Sequence, residues 1–103
     1  MKTRVIVGQR VKDFLDSLAP QPRRALWRGI KGLASDNGDI RRLEGELASY
    51  WRLRVGQMRV VYLLRAEKGE RQIVCFFADY RATVYEVLQQ LLASDLLSEL
   101  KER

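Results

Sequence analysis

Histidine is absent from the 103 residues of this chain, and cysteine occurs once, at Cys75. Without imidazole, the sequence excludes histidine acid/base catalysis, serine–histidine and cysteine–histidine nucleophile pairs, and the usual zinc sites. Cys75 lies in the apolar run IVCFFA, so we expect a buried, reduced thiol there and not a disulfide or a metal ligand. We therefore expect neither a metal nor another cofactor.

Long apolar runs are also missing. No run approaches the roughly 18 residues that span a bilayer, and the start MKTRVIVGQR lacks the apolar core of a signal peptide. We therefore expect a cytoplasmic protein that does not contact the membrane. The length predicts one domain, residues 1–103, with a core of about 3–92 and a C-terminal helical tail at 93–103.

Acidic residues are fewer than basic ones. The chain has 13 aspartates and glutamates against 19 lysines and arginines, for a net charge of +6. Arginine supplies 14 of the 19 basic residues, and its planar fork of donors suits phosphate. The composition thus favours a polyanionic partner.

Hydrophobic periodicity predicts seven elements in the order β-α-α-β-β-β-α. The strand-like runs are residues 3–7, 50–55, 58–65 and 71–78. The helical runs are residues 10–19, a second run from Pro22 to the Asn37-Gly38 exit, and 82–92, with residues 40–49 irregular. This order predicts an α+β fold, in which a helical hairpin packs on one face of a small, mostly antiparallel sheet and little covers the other face.

The pair Gly56-Gln57 predicts a tight hairpin turn, with glycine at the first central position of a type II′ turn. Such a turn places Val55 opposite Met58 and Arg54 opposite Arg59. Because side chains alternate between faces along a strand, one face of the hairpin is apolar and the other basic. The apolar face consists of Trp51, Leu53, Val55, Met58, Val60 and Tyr62, and the basic face of Arg52, Arg54, Arg59 and Arg65.

No acidic residue stands between Arg52, Arg54 and Arg59, and like charges directly opposite each other cost about 0.2–1 kcal/mol. One interpretation is a solvated face on which arginine stems lie over Val61 and Leu63. That interpretation suffices for a single arginine. Three converging arginines favour an anion site, because a bound phosphate would replace repulsion with charge-assisted hydrogen bonds.

A second candidate segment is DYRATVY, residues 79–85, where the last strand ends and the last helix begins. Arg81 and Tyr85 leave the sheet near a helix N-terminus, whose free amide groups also favour phosphate. Alternatively, Arg81 pairs with Asp79 and Tyr85 is a half-buried amphipathic side chain. The residues alone leave both interpretations open.

Taken together, residues 42–62, RLEGELASYWRLRVGQMRVVY, and residues 80–85, YRATVY, resemble the RelE/ParE superfamily of toxins from type II toxin–antitoxin systems. The usual form in that superfamily is L-x-G-x-x-x-(Y/W)-(R/K)-(L/I)-(R/K)-x-G-x-(Y/W)-R-(V/L)-(V/I)-Y, followed later by H-R-x-x-V-Y. The match covers about residues 3–92. Its first block is fairly specific, whereas YRATVY alone is a weak signal.

The resemblance implies a growth-inhibiting toxin of the RelE branch. Such toxins cleave mRNA on the ribosome through attack of a ribose 2′-hydroxyl on the adjacent phosphate, without a metal. Their partners are a cognate antitoxin, expected here as a partly disordered acidic or amphipathic segment that folds on binding, and translated mRNA. By position, the resemblance implies catalytic roles for Arg54, Arg59, Arg81 and Tyr85, and RNA contacts for Arg52, Arg54, Arg65 and Tyr80.

Three departures from the RelE pattern bear on mechanism. Arg52 and Arg54 replace frequent lysines, Tyr80 replaces a histidine, and Met58 replaces an aromatic residue. Arginine stays protonated, so it stabilises developing charge but accepts a proton poorly. The general base is therefore unassigned, and Tyr85 is expected to orient or stack on a base or to transfer a proton.

Two alternative functions remain open. One is a ParE-like inhibitor of DNA gyrase, which shares the fold and much of the WRLRVG motif. The other is an RNA-binding member of the fold without toxicity, which predicts salt-dependent RNA affinity and no effect on translation.

Overall fold

The computed structural model describes residues 2–93. The strands are β1 (Lys2–Val7), β2 (Asp39–Arg42), β3 (Trp51–Val55), β4 (Met58–Glu67) and β5 (Glu70–Tyr80). The helices are α1 (Gln9–Ser17), α2 (Pro20–Gly32) and α3 (Val84–Ala93), with single 3₁₀ turns at Leu33–Ser35 and Gly45–Leu47. Of the predicted tail at residues 93–103, Ala93 is the last residue of α3, and residues 94–103 lie outside the described residues.

The strands form one five-stranded sheet in the order β1-β5-β4-β3-β2. Only β1 and β5 pair in parallel, and the other three pairings are antiparallel. A parallel pair needs a long crossover, and the segment from α1 to β4 supplies it. The α+β fold with a mostly antiparallel sheet, predicted from the periodicity, is confirmed.

Strand β2 is the element that the periodicity missed, because residues 40–49 were expected to be irregular. Its sequence, DIRR, contains a single apolar residue, Ile40, and all its other side chains are exposed. An edge strand of four residues with one apolar side chain shows no alternation to detect. β2 pairs with β3 and places Asp39 directly opposite Arg54.

The β3–β4 hairpin has the predicted register. Val55 pairs with Met58, Arg54 with Arg59, and Trp51 with Tyr62. Gly56 has a φ of 59°, while Gln57 is not among the residues with positive φ, which is the type II′ combination. The short turn therefore sets the register, as expected.

The helical hairpin packs on the apolar face of this sheet. Arg23 joins the two helices, because its guanidinium donates to the carbonyl oxygens of Leu15, Asp16 and Leu18 at the end of α1. Gly29 of α2 lies so close to β3 that a Cβ atom there would meet a Val55 methyl at 2.8 Å. The resulting core contains Val11, Leu15, Leu18, Leu26, Ile30, Leu33, Leu53, Met58, Val60, Tyr62, Ile73, Cys75 and Ala78.

The opposite face of the sheet is not bare, and the expectation of little cover was wrong for half of it. Helix α3 packs there through Val84 and Leu88, which are fully buried. Together with Tyr50, Val61, Phe76 and Phe77 they form a second apolar cluster. The half left open lies at the β2–β3–β4 end, where the arginines are.

Across residues 2–93, no helix combines the length and the apolar character needed to cross a bilayer.

Candidate functional site

The open half of the sheet forms a cavity of about 470 Å³, which we call the arginine cleft. Strands β2, β3 and β4 supply its floor, while the 43–47 loop and the start of α3 supply its walls. Its lining residues are Arg41, Arg42, Leu43, Glu44, Leu47, Arg52, Arg54, Arg59, Arg81 and Tyr85. Five of the seven site residues predicted from the sequence are therefore brought together here.

Arg59 is the most buried cation of the cleft, with 7% of its surface exposed. Its Nη1 donates to the carbonyl oxygens of Gly56 and Met58, at 2.8 and 3.0 Å. Asp79 is its cross-strand neighbour on β5, but no ion pair within 4.0 Å joins Arg59 to a carboxylate anywhere in residues 2–93. The Asp79 carboxylate instead accepts the Tyr80 backbone N–H at 2.7 Å.

The electrostatics around Arg59 disfavour its charge. Burial lowers the pKa of Arg59, and the positive charges of Arg52, Arg54 and Arg81 lower it further, whereas Tyr85 acts in the opposite direction. A buried guanidinium that is hydrogen-bonded only to carbonyls and surrounded by like charges has a strong electrostatic reason to bind an anion.

Arg52 and Arg54, by contrast, share a carboxylate that was not foreseen. Asp39 on β2 forms ion pairs with Arg52, at 3.1 Å, and with Arg54. Arg52 also donates to the Asp39 backbone carbonyl at 2.9 Å. The expectation of arginines without acidic compensation was therefore wrong for these two, because an unpredicted strand carries the acid. The hydrogen bond from Arg52 lowers the pKa of the Asp39 carboxyl.

Arg81 and Tyr85 enter the cleft from the start of α3. The Arg81 backbone N–H donates to the Gln57 carbonyl at 2.7 Å, which ties this segment to the hairpin turn. The alternative pairing of Arg81 with Asp79 is absent from the ion pairs of the described chain. Arg81 is exposed, whereas Tyr85 is half-buried against the second apolar cluster.

The structure does not bring Arg65 and Tyr80 into the cleft. Arg65 lies six residues beyond Arg59 on β4, or about 20 Å at 3.3 Å per residue, and its Nε donates to Gln72 at 2.5 Å. Tyr80 is on the helical side of the sheet, where its ring meets that of Phe14 edge-on at 5.2 Å. The Arg65 prediction followed strand alternation, which does not account for the distance along β4. The Tyr80 prediction followed its place in the YRATVY motif, but its side chain lies on the helical side of the sheet.

Three charged lining residues were missed, namely Arg41, Arg42 and Glu44. All three lie on β2 or directly after it, in the segment expected to be irregular. The signal available was the Arg41-Arg42 pair immediately before the L-x-G motif. Arg42 is fixed by donating from Nε to the Ala48 carbonyl at 2.6 Å.

A second basic group lies on α2, which contains no acidic residue. Arg24, Arg28 and Lys31 are exposed beside the half-buried Trp27. None of them takes part in an ion pair among residues 2–93. Since α2 packs on the other face of the sheet, this group is separate from the arginine cleft.

Chemically, the cleft can hold phosphate and stabilise added negative charge through several guanidinium groups. Tyr85 supplies a hydroxyl that can donate or accept a hydrogen bond.

No protein-family model and no curated protein sequence matches this chain, but solved structures do. The RelBE2 toxin–antitoxin complex from Mycobacterium tuberculosis matches with a TM-score of 0.63 and 23% identity, covering 79% of this chain and 100% of the other. The archaeal RelE–RelB complex from Pyrococcus horikoshii OT3 matches with a TM-score of 0.58 and 24% identity, covering 79% and 97%. The YoeB/ParE toxin from Agrobacterium tumefaciens matches with a TM-score of 0.58 and 19% identity, covering 78% and 98%.

The chain therefore has the fold of the RelE, YoeB and ParE toxins. The resemblance drawn from residues 42–62 and 80–85 is confirmed at the level of the fold.

Proposed function

We propose that this protein is the toxin of a type II toxin–antitoxin pair and a ribosome-dependent, metal-independent endoribonuclease. It cleaves translated mRNA through attack of a ribose 2′-hydroxyl on the adjacent phosphate, and so inhibits translation. The observation that carries the proposal is Arg59, a buried cation without a carboxylate partner among residues 2–93, at the centre of a cleft lined by further arginines.

Energetics favour a phosphate ligand over a structural role for Arg59. A charge that is removed from water costs several kcal/mol unless it is paired, and a buried ion pair is the usual compensation. Arg59 has only two backbone carbonyl acceptors, and its neighbour Asp79 is engaged elsewhere. A phosphate supplies both the missing charge and several acceptor oxygens.

The roles follow from position and chemistry. Arg54, Arg59 and Arg81 stabilise the negative charge that develops as the 2′-oxygen attacks phosphorus. Arg52 binds the neighbouring backbone, and Tyr85 orients the RNA or transfers a proton. Arg65 and Tyr80 are not part of the proposal, because neither lines the cleft.

The same proposal includes an antitoxin and a cytoplasmic location. The structures from M. tuberculosis and P. horikoshii are toxin–antitoxin complexes. A toxin with a net charge of +6 and an open basic cleft suits an acidic segment that folds on binding. The ribosomal substrate requires action in the cytoplasm.

The test is a cell-free translation reaction, in which 5′ ends of the message are mapped by primer extension. We expect cuts in phase with codons, only during translation, for the wild type. Arg81→Ala should cut at least about 100-fold more slowly, since removing one electrostatic donor costs 10²–10³ in rate. Arg28→Ala removes the same charge from α2, outside the cleft, and should cut normally.

Intact message with the wild type would overturn the nuclease proposal. Salt-dependent RNA binding without cleavage would instead support a non-toxic RNA-binding protein. If Arg28→Ala lost as much cleavage as Arg81→Ala, the overall charge of the protein, and not the cleft, would determine the cleavage rate.

A second candidate is inhibition of DNA gyrase. Asp39 already neutralises part of the charge of Arg52 and Arg54, which weakens the case for an RNA-cleaving cleft. One of the matching structures is described as a YoeB/ParE toxin. A supercoiling assay separates the two functions, because a gyrase inhibitor would block supercoiling and leave mRNA intact.

A further inference from the structure

Cleavage by a 2′-hydroxyl requires a group that accepts its proton, and the arginines of the cleft cannot do so, since guanidinium stays protonated. The tyrosine hydroxyl is a donor at neutral pH and suits the opposite task of protonating the leaving oxygen. The proposed reaction therefore needs a further residue in the cleft that accepts a proton.

Glu44 is the one acidic side chain among the described lining residues of the arginine cleft. Asp39 lies nearby but is engaged by Arg52 and Arg54. The Glu44 carboxylate takes part in no hydrogen bond or ion pair within residues 2–93. It is exposed, and so it is available to a substrate.

The backbone around Glu44 is held in place. The Leu43 N–H donates to the Tyr50 carbonyl at 3.0 Å, and the Leu47 N–H donates to the Glu44 carbonyl at 3.1 Å. Leu43 and Leu47 also pack against the second apolar cluster. The Glu44 backbone is thus held at the wall of the cleft between two half-buried leucines.

We propose that Glu44 is the general base of the reaction, an inference that rests on the proposed function. Its carboxylate takes the proton of the ribose 2′-hydroxyl as the 2′-oxygen forms a bond to phosphorus. The bond from phosphorus to the 5′-oxygen breaks, and this oxygen takes a proton from the Tyr85 hydroxyl. The products are a 2′,3′-cyclic phosphate and a 5′-hydroxyl, and transfer of the Glu44 proton to Tyr85 through water restores both groups.

Glu46 provides a matched control. It follows Glu44 by two residues and is also exposed. Both glutamates line a neighbouring cavity with Gln89 and Ala93, but only Glu44 also lines the arginine cleft. Replacing either glutamate by glutamine changes the net charge by the same amount and leaves the size of the side chain unchanged.

The test is single-turnover cleavage of message on programmed ribosomes by wild type, Glu44→Gln and Glu46→Gln. Removing a general base slows such a step by about 10²–10⁴-fold, so Glu44→Gln should be at least 100-fold slower, with unchanged or tighter RNA binding. Glu46→Gln should cleave at the wild-type rate. Thermal unfolding of all three proteins confirms that both variants fold.

A pH–rate profile separates a base from an electrostatic or structural role. The wild-type rate should rise with pH on the acidic side as the base ionises, and this limb should be lost in Glu44→Gln. The other charged or titratable groups lining the cleft are Arg41, Arg42, Arg52, Arg54, Arg59, Arg81 and Tyr85. Asp39 lies beside the cleft in ion pairs with Arg52 and Arg54, and a limb caused by its carboxyl would persist in Glu44→Gln. The arginines stay charged throughout the acidic range, so they produce no such limb.

Two results would overturn the inference. Wild-type rates in Glu44→Gln, or faster cleavage caused by tighter RNA binding, would show that Glu44 is not the base while leaving the nuclease proposal standing. Absence of cleavage by the wild type would overturn both proposals together.

Discussion

Arg54 and Arg59 lie directly opposite each other across the β3–β4 hairpin. The same row continues outward on both sides, since Asp39 is opposite Arg54 on β2 and Asp79 is opposite Arg59 on β5. Four charged residues thus cross four strands in the order acid, base, base, acid. Asp39 and Arg54 form an ion pair, whereas Asp79 and Arg59 do not, because the Asp79 carboxylate accepts the Tyr80 backbone N–H.

This row predicts that Arg54 contributes to function more than to stability. Arg54→Gln removes a like-charge pair that costs about 0.2–1 kcal/mol and an exposed ion pair that contributes about 0–1 kcal/mol. The free energy of unfolding in denaturant should change by less than about 1 kcal/mol, while mRNA cleavage falls at least tenfold. A loss of stability above about 2 kcal/mol would indicate a structural role instead.

Asp39 should act as an internal competitor for the phosphate. Asp39→Asn frees Arg52 and Arg54 from their ion pairs, and it should tighten binding of a short RNA up to about fivefold, the equivalent of about 1 kcal/mol. Fluorescence anisotropy at low salt measures the effect. Weaker binding in Asp39→Asn would mean that Asp39 orients the arginines for the ligand.

RNA affinity should depend on salt in proportion to the phosphates contacted. Each neutralised phosphate of a single strand contributes a slope of about −0.7 in log K against log salt, so Arg52, Arg54, Arg59 and Arg81 together give about −2.8. Titrations at several salt concentrations should show a slope about 0.7 shallower for Arg81→Ala. Arg28→Ala should keep the wild-type slope. If its slope were also about 0.7 shallower, the RNA would contact α2.

Stability at low pH should depend on Asp36. Arg71 donates from Nη2 and Nη1 to its carboxylate at 2.9 and 3.2 Å, and these hydrogen bonds hold the pKa of Asp36 below its ordinary 3.8. Because the pKa of Asp36 is lower in the folded than in the unfolded protein, its ionisation stabilises the fold at pH values above about 3.8, the unfolded pKa. This stabilisation is lost as the pH falls from about 3.8 through the folded-state pKa.

Thermal unfolding between pH 7 and 2 checks this expectation. Asp36→Asn should be less stable than the wild type at pH 7, and the difference should shrink at the acidic end. A difference that stays constant with pH would show that the aspartate contributes through packing and not through ionisation.

Cys75 should be inert in the folded protein. It is fully buried, and burial raises the pKa of its thiol to about 12, so almost no thiolate is present at neutral pH. A thiol-reactive dye at pH 8 should label Cys75 only after denaturant is added. Rapid labelling of the native protein would mean that β5 opens readily around this residue.

Much of the sheet was predictable because its determinants are local. The Gly56-Gln57 turn and the alternation of Leu53, Val60 and their neighbours set both the hairpin register and its two faces. The short edge strand β2 was not predictable, because with one apolar residue it is stabilised by pairing with β3 and not by its own pattern.

The sequence by itself determined the α+β class and the hairpin register, because turn geometry and strand alternation act between near neighbours. It also indicated five of the side chains that line the cleft, Arg52, Arg54, Arg59, Arg81 and Tyr85. The tertiary structure decided the rest. It brought Asp39 and Glu44 to the arginines, packed α3 against Val61, Phe76 and Phe77 on the same side of the sheet, and left Arg65 and Tyr80 outside the cleft. These outcomes depend on which distant segments pair and pack, and burial and ion pairing between such segments are set by the whole fold.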